Sequence, residues 1–386
     1  MRDLVYRVGV RIVAALMQAT SLVLLARLLG ANTFGLFTVW YSVALLVCAT
    51  LGFGASARVL RLSAPDEPIY LRASLATTRL ISVAIVLAVM AAIGSILGAP
   101  ALLLASATIL AVGEFTSEFM QALYAGASRQ TASLGIIALS RLTTLSAVVA
   151  AGATLAAPLI AVLIASSALS LLMLTLIGAK AVGTRRLAYV MQTSRGFWFA
   201  SMVGNLRNVE PPLLASVATP AVAGGFATVS RLTNPLLIVT SSMQAVFLPP
   251  LSAAAENVLE FRRQFRKLML VGSAYGLTLM TLSPLGAWLL ITTLGPDYEF
   301  LLPVAIGVIA ATGFSSISNV YQIGLYALGK PSPVGWIVGL TSLAGLPVLA
   351  IVGSVAEASF WLGAVPIGVQ VAQLVASRAV FKRLEG

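Results

Sequence analysis

The sequence contains no histidine and a single cysteine, Cys48, which lies within an apolar run. The lack of histidine excludes catalysis by imidazole, and one cysteine can form neither a disulfide framework nor a cysteine metal site. Charged residues make up only 9% of the chain, whereas about a quarter is usual in a soluble domain. We therefore predict a protein that has no metal site and no cofactor and that is not built as a soluble domain.

Hydrophobic residues account for 59% of the chain, and the mean hydropathy is +1.00. Apolar runs of about 20 residues recur along the whole length, and each is long enough to cross about 30 Å of hydrocarbon as a helix. The loops between them are short and contain no phosphate-binding motif, so ATP binding is not expected. The composition predicts an all-α integral membrane protein.

The spacing of apolar residues predicts about twelve helices, each close to the length needed to cross a bilayer. An even number of crossings places both ends of the chain on the same side of the membrane. The helices are expected at residues 8–29, 36–57, 76–97, 100–125, 133–154, 157–178, 196–218, 225–248, 267–293, 300–328, 333–353 and 357–379.

Lysine and arginine occur in the connections that follow even-numbered helices, and none occurs in the connections that follow odd-numbered ones. The positive-inside rule then places both termini in the cytoplasm. The net charge of +12 is explained by these separate clusters, so we expect no nucleic-acid partner. The clustered residues are Arg58, Arg61, Arg72, Arg129, Lys180, Arg185, Arg186, Arg195, Arg262, Arg263, Arg266, Lys267 and Lys330.

A weak internal repeat relates Leu24–Val39 to Leu214–Val229, and both copies fall between the first two apolar segments of a half. Six helices in each half would enter the membrane in the same direction, which predicts two bundles of parallel topology. We assign residues 1–178 to the first bundle, 179–195 to a basic cytoplasmic linker and 196–386 to the second bundle. The identical pairs are Leu24/Leu214, Ala31/Ala221, Gly35/Gly225, Thr38/Thr228 and Val39/Val229.

The segments ARLLGANTFGLF at 26–37 and LYALGK at 325–330, together with the basic central loop, resemble the oligosaccharide flippases of the polysaccharide transporter family. That family shares a superfamily with multidrug and toxic compound extrusion antiporters and with lipid II flippases. The chain has Ser21-Leu22 where lipid II flippases look to carry an Arg-Asp pair, which argues against a role in peptidoglycan synthesis.

The resemblance implies two six-helix bundles facing each other across a central cavity. It also implies a monomer in the bacterial inner membrane that moves polyprenyl-pyrophosphate-linked oligosaccharides to the outer leaflet by alternating access. Its partners would be the lipid-linked substrate, membrane lipids and the polysaccharide polymerase machinery.

The predicted seventh helix contains the densest group of polar residues at membrane depth, and two prolines after them should kink it. We expect Arg207 to contact the pyrophosphate and Asn205 and Asn208 to contact sugar hydroxyls. Glu210 would hold Arg207 or take up a proton. The alternative is a pair of structural charges that neutralise each other.

Arg231 in the predicted eighth helix is a further candidate substrate contact, because guanidinium offers a planar set of donors to phosphate. It could instead form a helix-packing salt bridge with Glu210. Neither alternative is excluded by the sequence.

Glu114 and Glu118 are four residues apart and share a face of the predicted fourth helix. Arg141 on the fifth helix is about as deep as Glu118, since Arg141 is eight residues and Glu118 seven residues from the predicted helix end, so we expect a structural Glu118–Arg141 ion pair. Glu114 then has no evident partner, which makes it a candidate for ion or proton coupling. It could also be a protonated residue hydrogen-bonded between helices.

Two transport functions remain open, and a third class is disfavoured. The first is the flippase, in which the arginines bind the substrate. The alternative is a cation-coupled multidrug antiporter of the same superfamily, in which Glu114, Glu118 and Glu210 alternate between a cation and a proton. An integral-membrane enzyme would need a sizeable polar loop with carboxylates, and the outer connection after the predicted ninth helix offers only Asp297 and Glu299.

Overall fold

A computed structural model describes residues 2–59, 70–127, 129–154, 157–182, 186–254, 257–328, 330–355 and 359–385. Throughout these ranges the chain is helical or forms short connections, and none of the described residues lies in a strand. The basic connection that contains Arg61 and residues 183–185 of the predicted linker lie outside the described residues. The all-α prediction is confirmed.

Within the described residues, ten helical segments are long and apolar enough to cross a membrane. Large apolar side chains lie on their outer surfaces, where Leu171, Leu270 and Ile351 are 65%, 72% and 64% exposed. Helices that are hydrophobic on all sides are typical of membrane spans. The chain is therefore a multi-pass membrane protein.

The first six spanning segments belong to five long helices. The first of these, α1, is broken at Gly30, which has φ +71° and ψ 164°. Glycine adopts this left-handed region without the steric cost that a Cβ would impose. The remaining helices of this part are short. The elements are α1 (Arg2–Leu51), α2 (Ala55–Val59), α3 (Leu71–Ile96), α4 (Ala101–Gly126), α5 (Gln130–Thr154), α6 (Pro158–Lys180), α7 (Leu187–Thr193) and α8 (Arg195–Gly204).

After α8, the described residues form seven further helices and two 3₁₀ turns, at Leu206–Val209 and Pro296–Leu301. Four of these helices, α12 to α15, account for the remaining spanning segments. The helices are α9 (Glu210–Val217), α10 (Pro220–Leu232), α11 (Asn234–Ala253), α12 (Val258–Leu294), α13 (Leu302–Ala327), α14 (Pro331–Val355) and α15 (Ser359–Glu385).

The predicted seventh and eighth helices are not continuous. The 3₁₀ turn at Leu206–Val209 separates α8 from α9, so Pro211 and Pro212 occupy the first turn of a new helix instead of kinking an old one. Proline is tolerated there because the first N–H groups of a helix have no intrahelical acceptor. The eighth helix divides between α10 and α11, where Thr233 ends one and Asn234-Pro235 begins the other.

The polar stretch before the predicted ninth helix is itself helical. The Asn257 side-chain oxygen accepts a hydrogen bond from the Glu260 backbone N–H at 3.2 Å and caps α12, which therefore begins nine residues before the predicted start. An asparagine in this position satisfies one of the free donors of the first turn. The cap stabilises the start of the helix although the segment is polar.

The chain divides into two compact units, residues 1–212 and 213–386. This boundary differs from the predicted one, because residues 179–212 group with the first unit. Trp198 on α8 donates its indole N–H to the Thr50 carbonyl at 2.7 Å, and Arg58 donates to Ser194 at 3.1 Å. Tyr70 meets Tyr189 edge to face. These contacts attach the predicted linker and the start of the predicted seventh helix to the first unit.

Each unit has its own apolar core. In the first unit, Phe119 of α4 packs with Leu75 of α3 and Met173 of α6, all fully buried. In the second unit, the core gathers around the stacked rings of Phe265 and Phe381, whose centroids are 4.5 Å apart. Both halves of the chain therefore fold around independent packing centres.

The two copies of the internal repeat occupy equivalent positions in the helical order. Gly30 breaks α1 in the first copy, and in the second copy the chain breaks at Thr219, whose hydroxyl caps α10 by accepting from the Val222 N–H at 3.4 Å. The shared threonines Thr38 and Thr228 both bond back to a carbonyl of the preceding turn. The repeat therefore marks a helix break in each unit.

Candidate functional site

The first unit contains a cavity of about 420 Å³ whose lining carries four charged side chains. Arg79 comes from α3, Glu114 and Glu118 from α4, and Arg141 from α5. A cavity of this volume is in the range that accommodates a small organic molecule. The other lining residues are Leu45, Cys48, Ala49, Gly52, Gly54, Ala55, Ser56, Phe115, Ser117, Gln121, Ser140, Ser201 and Asn205.

Glu114 is held by donors from three segments of the chain. Arg141 of α5 forms an ion pair with it, the Tyr41 hydroxyl donates to its second oxygen, and the Gln18 amide donates at 3.2 Å. Gln18 and Tyr41 lie on opposite sides of the break at Gly30. The Arg141 and Glu114 side chains are only 24% and 21% exposed. This network joins both parts of α1 to α4 and α5.

The predicted Glu118–Arg141 pair and the predicted lack of a partner for Glu114 are both wrong. In the structure α4 ends at Gly126, so Glu114 is 12 residues and Glu118 eight residues from that end. Arg141 is 11 residues from the start of α5 at Gln130. At 1.5 Å per residue, Arg141 is thus level with Glu114 and about a turn deeper than Glu118. The predicted start of α5 was three residues late, which misplaced the arginine.

Glu118 is directed into the cavity. Its neighbours Phe115, Thr116, Ser117 and Phe119 are buried, whereas Glu118 itself is exposed and lines the cavity. Among the contacts of the described residues, Glu118 makes no hydrogen bond and no ion pair. Its carboxylate is therefore accessible to whatever enters the cavity.

Arg79 is the most deeply buried charged group of the cavity wall, with 1% of its surface exposed. Its guanidinium carbon lies 3.5 Å from the centre of the Phe115 ring and 4.9 Å from that of Phe119. One of its nitrogens, Nη2, donates to the Ser56 hydroxyl. Glu118 is the carboxylate that acts on it electrostatically, although the two form no contact ion pair in the described part of the chain.

The candidate residues of the predicted seventh helix are not gathered at one point. Asn205 lines the cavity and accepts a hydrogen bond from the Asn208 amide at 3.0 Å. Arg207 is exposed in the 3₁₀ turn, and Glu210, half-buried, begins α9. In the described part of the chain, Glu210 and Arg207 form no ion pair with each other.

Arg231 belongs to the second unit and lies, half-buried, in the last turn of α10. A cation in this position is favoured by the negative end of the helix dipole. Its predicted substrate contact stays a prediction, as do those of Arg207, Asn205, Asn208 and Glu210.

The sequence analysis missed three residues of this site. Gln18 and Tyr41 are polar residues within the mainly apolar α1, and such a residue is a signal for a partner in the bundle interior. Arg79 was not considered as a site residue, and the third helix was predicted to start at residue 76. Since α3 starts at Leu71, Arg79 lies eight residues inside it, about 12 Å along the axis.

No protein-family model matches the chain, and no curated protein matches it. Solved structures do match over almost the full length. An inward-facing multidrug resistance MATE family transporter of the MOP superfamily has a TM-score of 0.69 at 13% identity, over 99% of this chain and 98% of the other.

Two further MATE structures give the same result. The multidrug transporter DinF-BH, solved as a complex, has a TM-score of 0.68 at 15% identity, over 99% of this chain and 94% of the other. A mutant of the Vibrio cholerae transporter VcmN has a TM-score of 0.60 at 16% identity, over 99% and 97%. The chain therefore has the fold of MATE transporters of the MOP superfamily, with its helices in two bundles. The three matching structures are each described as a transporter.

Proposed function

We propose that this chain is a cation-coupled exporter of small organic molecules in the bacterial inner membrane, with Glu118 as its coupling carboxylate. The observation that carries the proposal is the position of Glu118 on the wall of the first-unit cavity. It is an acidic side chain at membrane depth that is exposed to the cavity and, among the described residues, makes no contact ion pair. Ionisable residues at such depth are costly and commonly mark an ion or substrate site.

The chemistry of coupling requires a carboxylate that can exchange its counterion. In a cavity of low dielectric constant a carboxylate attracts a cation more strongly than it does in water. A proton or metal cation and a cationic substrate then compete for the same group, so the binding of one promotes release of the other. Glu118 can take part in such an exchange because no described side chain forms a hydrogen bond or an ion pair with its carboxylate.

Glu114 is less suited to this role than the sequence indicates. Its predicted coupling role depends on the lack of a partner, whereas Arg141, Tyr41 and Gln18 all bind it. To bind a transported cation, Glu114 would have to break its ion pair with Arg141. That would leave a buried arginine without a partner, which is costly. We assign Glu114 to the structural support of the cavity.

The structures of similar fold support an exporter of this kind. Two of them carry the word multidrug in their descriptions, and one of these was solved as a complex. The flippase hypothesis depends on a cluster in which Arg207 contacts the pyrophosphate and Asn205 and Asn208 contact sugar hydroxyls. Arg207 is exposed and the two asparagines bond to each other, so this cluster supports the flippase less well than the cavity supports the antiporter.

The test is export of a cationic dye by proteoliposomes containing the full chain, under an imposed proton or sodium gradient. We expect Glu118→Gln to lower the initial rate by roughly tenfold or more, because a charge-assisted interaction is typically worth about 1.5–3 kcal/mol. Glu260→Gln is the matched control, since Glu260 lies in the first turn of α12 and contacts Gln264 and Arg263. It should export at the wild-type rate.

Deletion strains decide between the two transport functions. Cells that lack the gene should lose tolerance to cationic dyes while their lipid-linked oligosaccharides stay constant. Accumulation of polyprenyl-pyrophosphate oligosaccharide in the inner membrane, with unchanged dye tolerance, would instead establish the flippase and refute the exporter. In the proteoliposomes, equal rates for wild type and Glu118→Gln would remove Glu118 from the mechanism.

A further inference from the structure

The surroundings of Arg79 are unusual for a buried charge. Phe115 and Phe119 cover the guanidinium, with ring centres 3.5 Å and 4.9 Å from its central carbon. Stacking on aromatic rings occupies the faces of the guanidinium plane and leaves the N–H groups at its edge directed elsewhere. The aromatic contacts therefore stabilise the cation without using its N–H donors.

Most of the donors at that edge are unused. Nη2 donates to Ser56, whereas Nε and Nη1 are buried and have no hydrogen-bond partner in the described part of the chain. The Ser117 hydroxyl is also buried without a partner there, and Arg79, Ser56 and Ser117 all line the same cavity. Buried polar atoms are rarely left unpaired in native proteins, so such a group requires an explanation.

No protein carboxylate supplies the missing partner in the described residues. Glu114 is engaged by Arg141, and Glu118 acts on Arg79 only through space. A guanidinium removed from water without a bonded anion is costly, and cation–π stacking offsets only part of that cost. The buried Arg79 guanidinium is stabilised if a molecule that enters the cavity supplies a hydrogen-bond acceptor.

The cavity thus presents two complementary charges to an occupant. Glu118 is exposed to it and attracts a cationic group, while the buried Nε and Nη1 of Arg79 and the buried Ser117 hydroxyl can donate to an anionic oxygen once a change of side-chain rotamer uncovers them. Arginine forms short charge-assisted hydrogen bonds with carboxylates. The volume of about 420 Å³ admits one small organic molecule that carries both groups.

We propose that Arg79 and Ser117 form a subsite for the carboxylate of a zwitterionic substrate whose cationic group faces Glu118. This inference rests on the proposed exporter function and narrows its substrate class. A purely cationic molecule would leave the donors of Arg79 unsatisfied. The exporter therefore prefers compounds that carry a carboxylate together with an amine over their neutralised esters.

The test uses a rhodamine dye with a free carboxylate and its methyl ester, which is a cation of nearly the same size. Their dissociation constants for the purified full chain are measured by fluorescence anisotropy. We expect the zwitterion to bind more tightly to the wild type. In Arg79→Gln the ratio of the two constants should fall about tenfold, since hydrogen bonds to charged groups are strong, and Arg79→Lys should retain part of the preference.

Two further variants separate binding from folding. Arg72→Gln changes an exposed arginine of the same helix and should keep the wild-type ratio. Ser117→Ala removes one unpaired hydroxyl and no charge, so it should fold and lower the ratio by a smaller factor. Thermal unfolding of each variant identifies any that is misfolded, and if Arg79→Gln is misfolded the Ser117→Ala ratio decides.

The outcomes are distinct for the two proposals. Equal affinity of the wild type for both dyes, or an unchanged ratio in both Arg79→Gln and Ser117→Ala, would overturn the subsite. The exporter is tested separately by the affinity of Glu118→Gln for the methyl ester, which should be lost if Glu118 binds the cationic group. A result in which Glu118→Gln binds the ester as well as the wild type would refute the role of Glu118 and leave the Arg79 result standing by itself.

Discussion

At the scale of single residues, the Glu114 carboxylate links α1, α4 and α5 of the first unit by polar contacts. Its two oxygens receive Arg141, Tyr41 and Gln18, which come from α5 and from both parts of α1. Breaking a buried ion pair by removing one partner is strongly destabilising, because the other charge is left uncompensated. The network should therefore contribute to stability whether or not substrate is present.

A double-mutant cycle tests this arrangement. We expect Glu114→Gln to destabilise the chain by about 3 kcal/mol, the lower end of the range for a broken buried pair. Adding Arg141→Gln should restore part of that loss, because the unpaired guanidinium is then removed. The measurement is reversible unfolding in detergent micelles, followed by tryptophan fluorescence.

The matched cycle uses Glu118→Gln with Arg141→Gln. Since Glu118 makes no contact ion pair in the described residues, the two changes should be additive to within about 0.5 kcal/mol. A coupling for Glu118 that exceeds the coupling for Glu114 would show that the pair expected from the sequence is the one that forms.

At the scale of helices, the second unit depends on close contact between backbones. A Cβ added to Gly307 of α13 would lie 2.1 Å from the Gly363 carbonyl oxygen of α15. Small residues at helix interfaces in membranes allow such approach and increase van der Waals contact. The α13–α15 interface therefore requires glycine on both helices.

Gly307→Ala tests this interface. The added methyl group must displace backbone, so we expect a loss of about 1–3 kcal/mol in the free energy of unfolding. Gly335→Ala on α14 is the control, because a Cβ there meets nothing within 4 Å. It should unfold at the wild-type temperature or above, and equal stability of the two variants would contradict the close contact.

Helix ends account for most of the differences between prediction and structure at this scale. Apolar periodicity identified the long spans, but the segment from Leu187 to Ala253 divides into several short helices. The breaks lie beside proline and capping residues such as Pro211, Thr219 and Pro235. In the sequence, the apolar composition around these residues hides their effect on the helix. The three-residue error at the start of α5 was enough to choose the wrong acid for Arg141.

At the scale of the whole molecule, the orientation of the termini depends on the parity of the membrane crossings. Ten segments of the described chain are long enough to cross, and α8 to α11 lie between the sixth and the seventh of them. If this region crosses twice, the total is twelve, and the positive-inside rule then places both termini in the cytoplasm. A single crossing would place the C-terminus outside.

Reporter fusions after Gly386 measure this parity. We expect a green fluorescent protein fusion to be fluorescent and an alkaline phosphatase fusion to be inactive, as for a cytoplasmic C-terminus. A phosphatase fusion after Gly295, in the connection that follows α12, should be active and is the positive control. An active phosphatase after Gly386 would show an odd number of crossings and refute the predicted topology.

The sequence by itself determined the all-helical membrane class, the internal repeat and the presence of acids and arginines at membrane depth. These properties follow from composition, from periodicity and from the cost of burying charge, which act locally along the chain. Only the tertiary structure decided that Arg141 binds Glu114, that Glu118 faces a cavity and that Arg79 lies beside it with unused donors. Partner choice depends on the depth and rotation of each helix against its neighbours, and an error of one turn, about 5.4 Å, exchanges one partner for another.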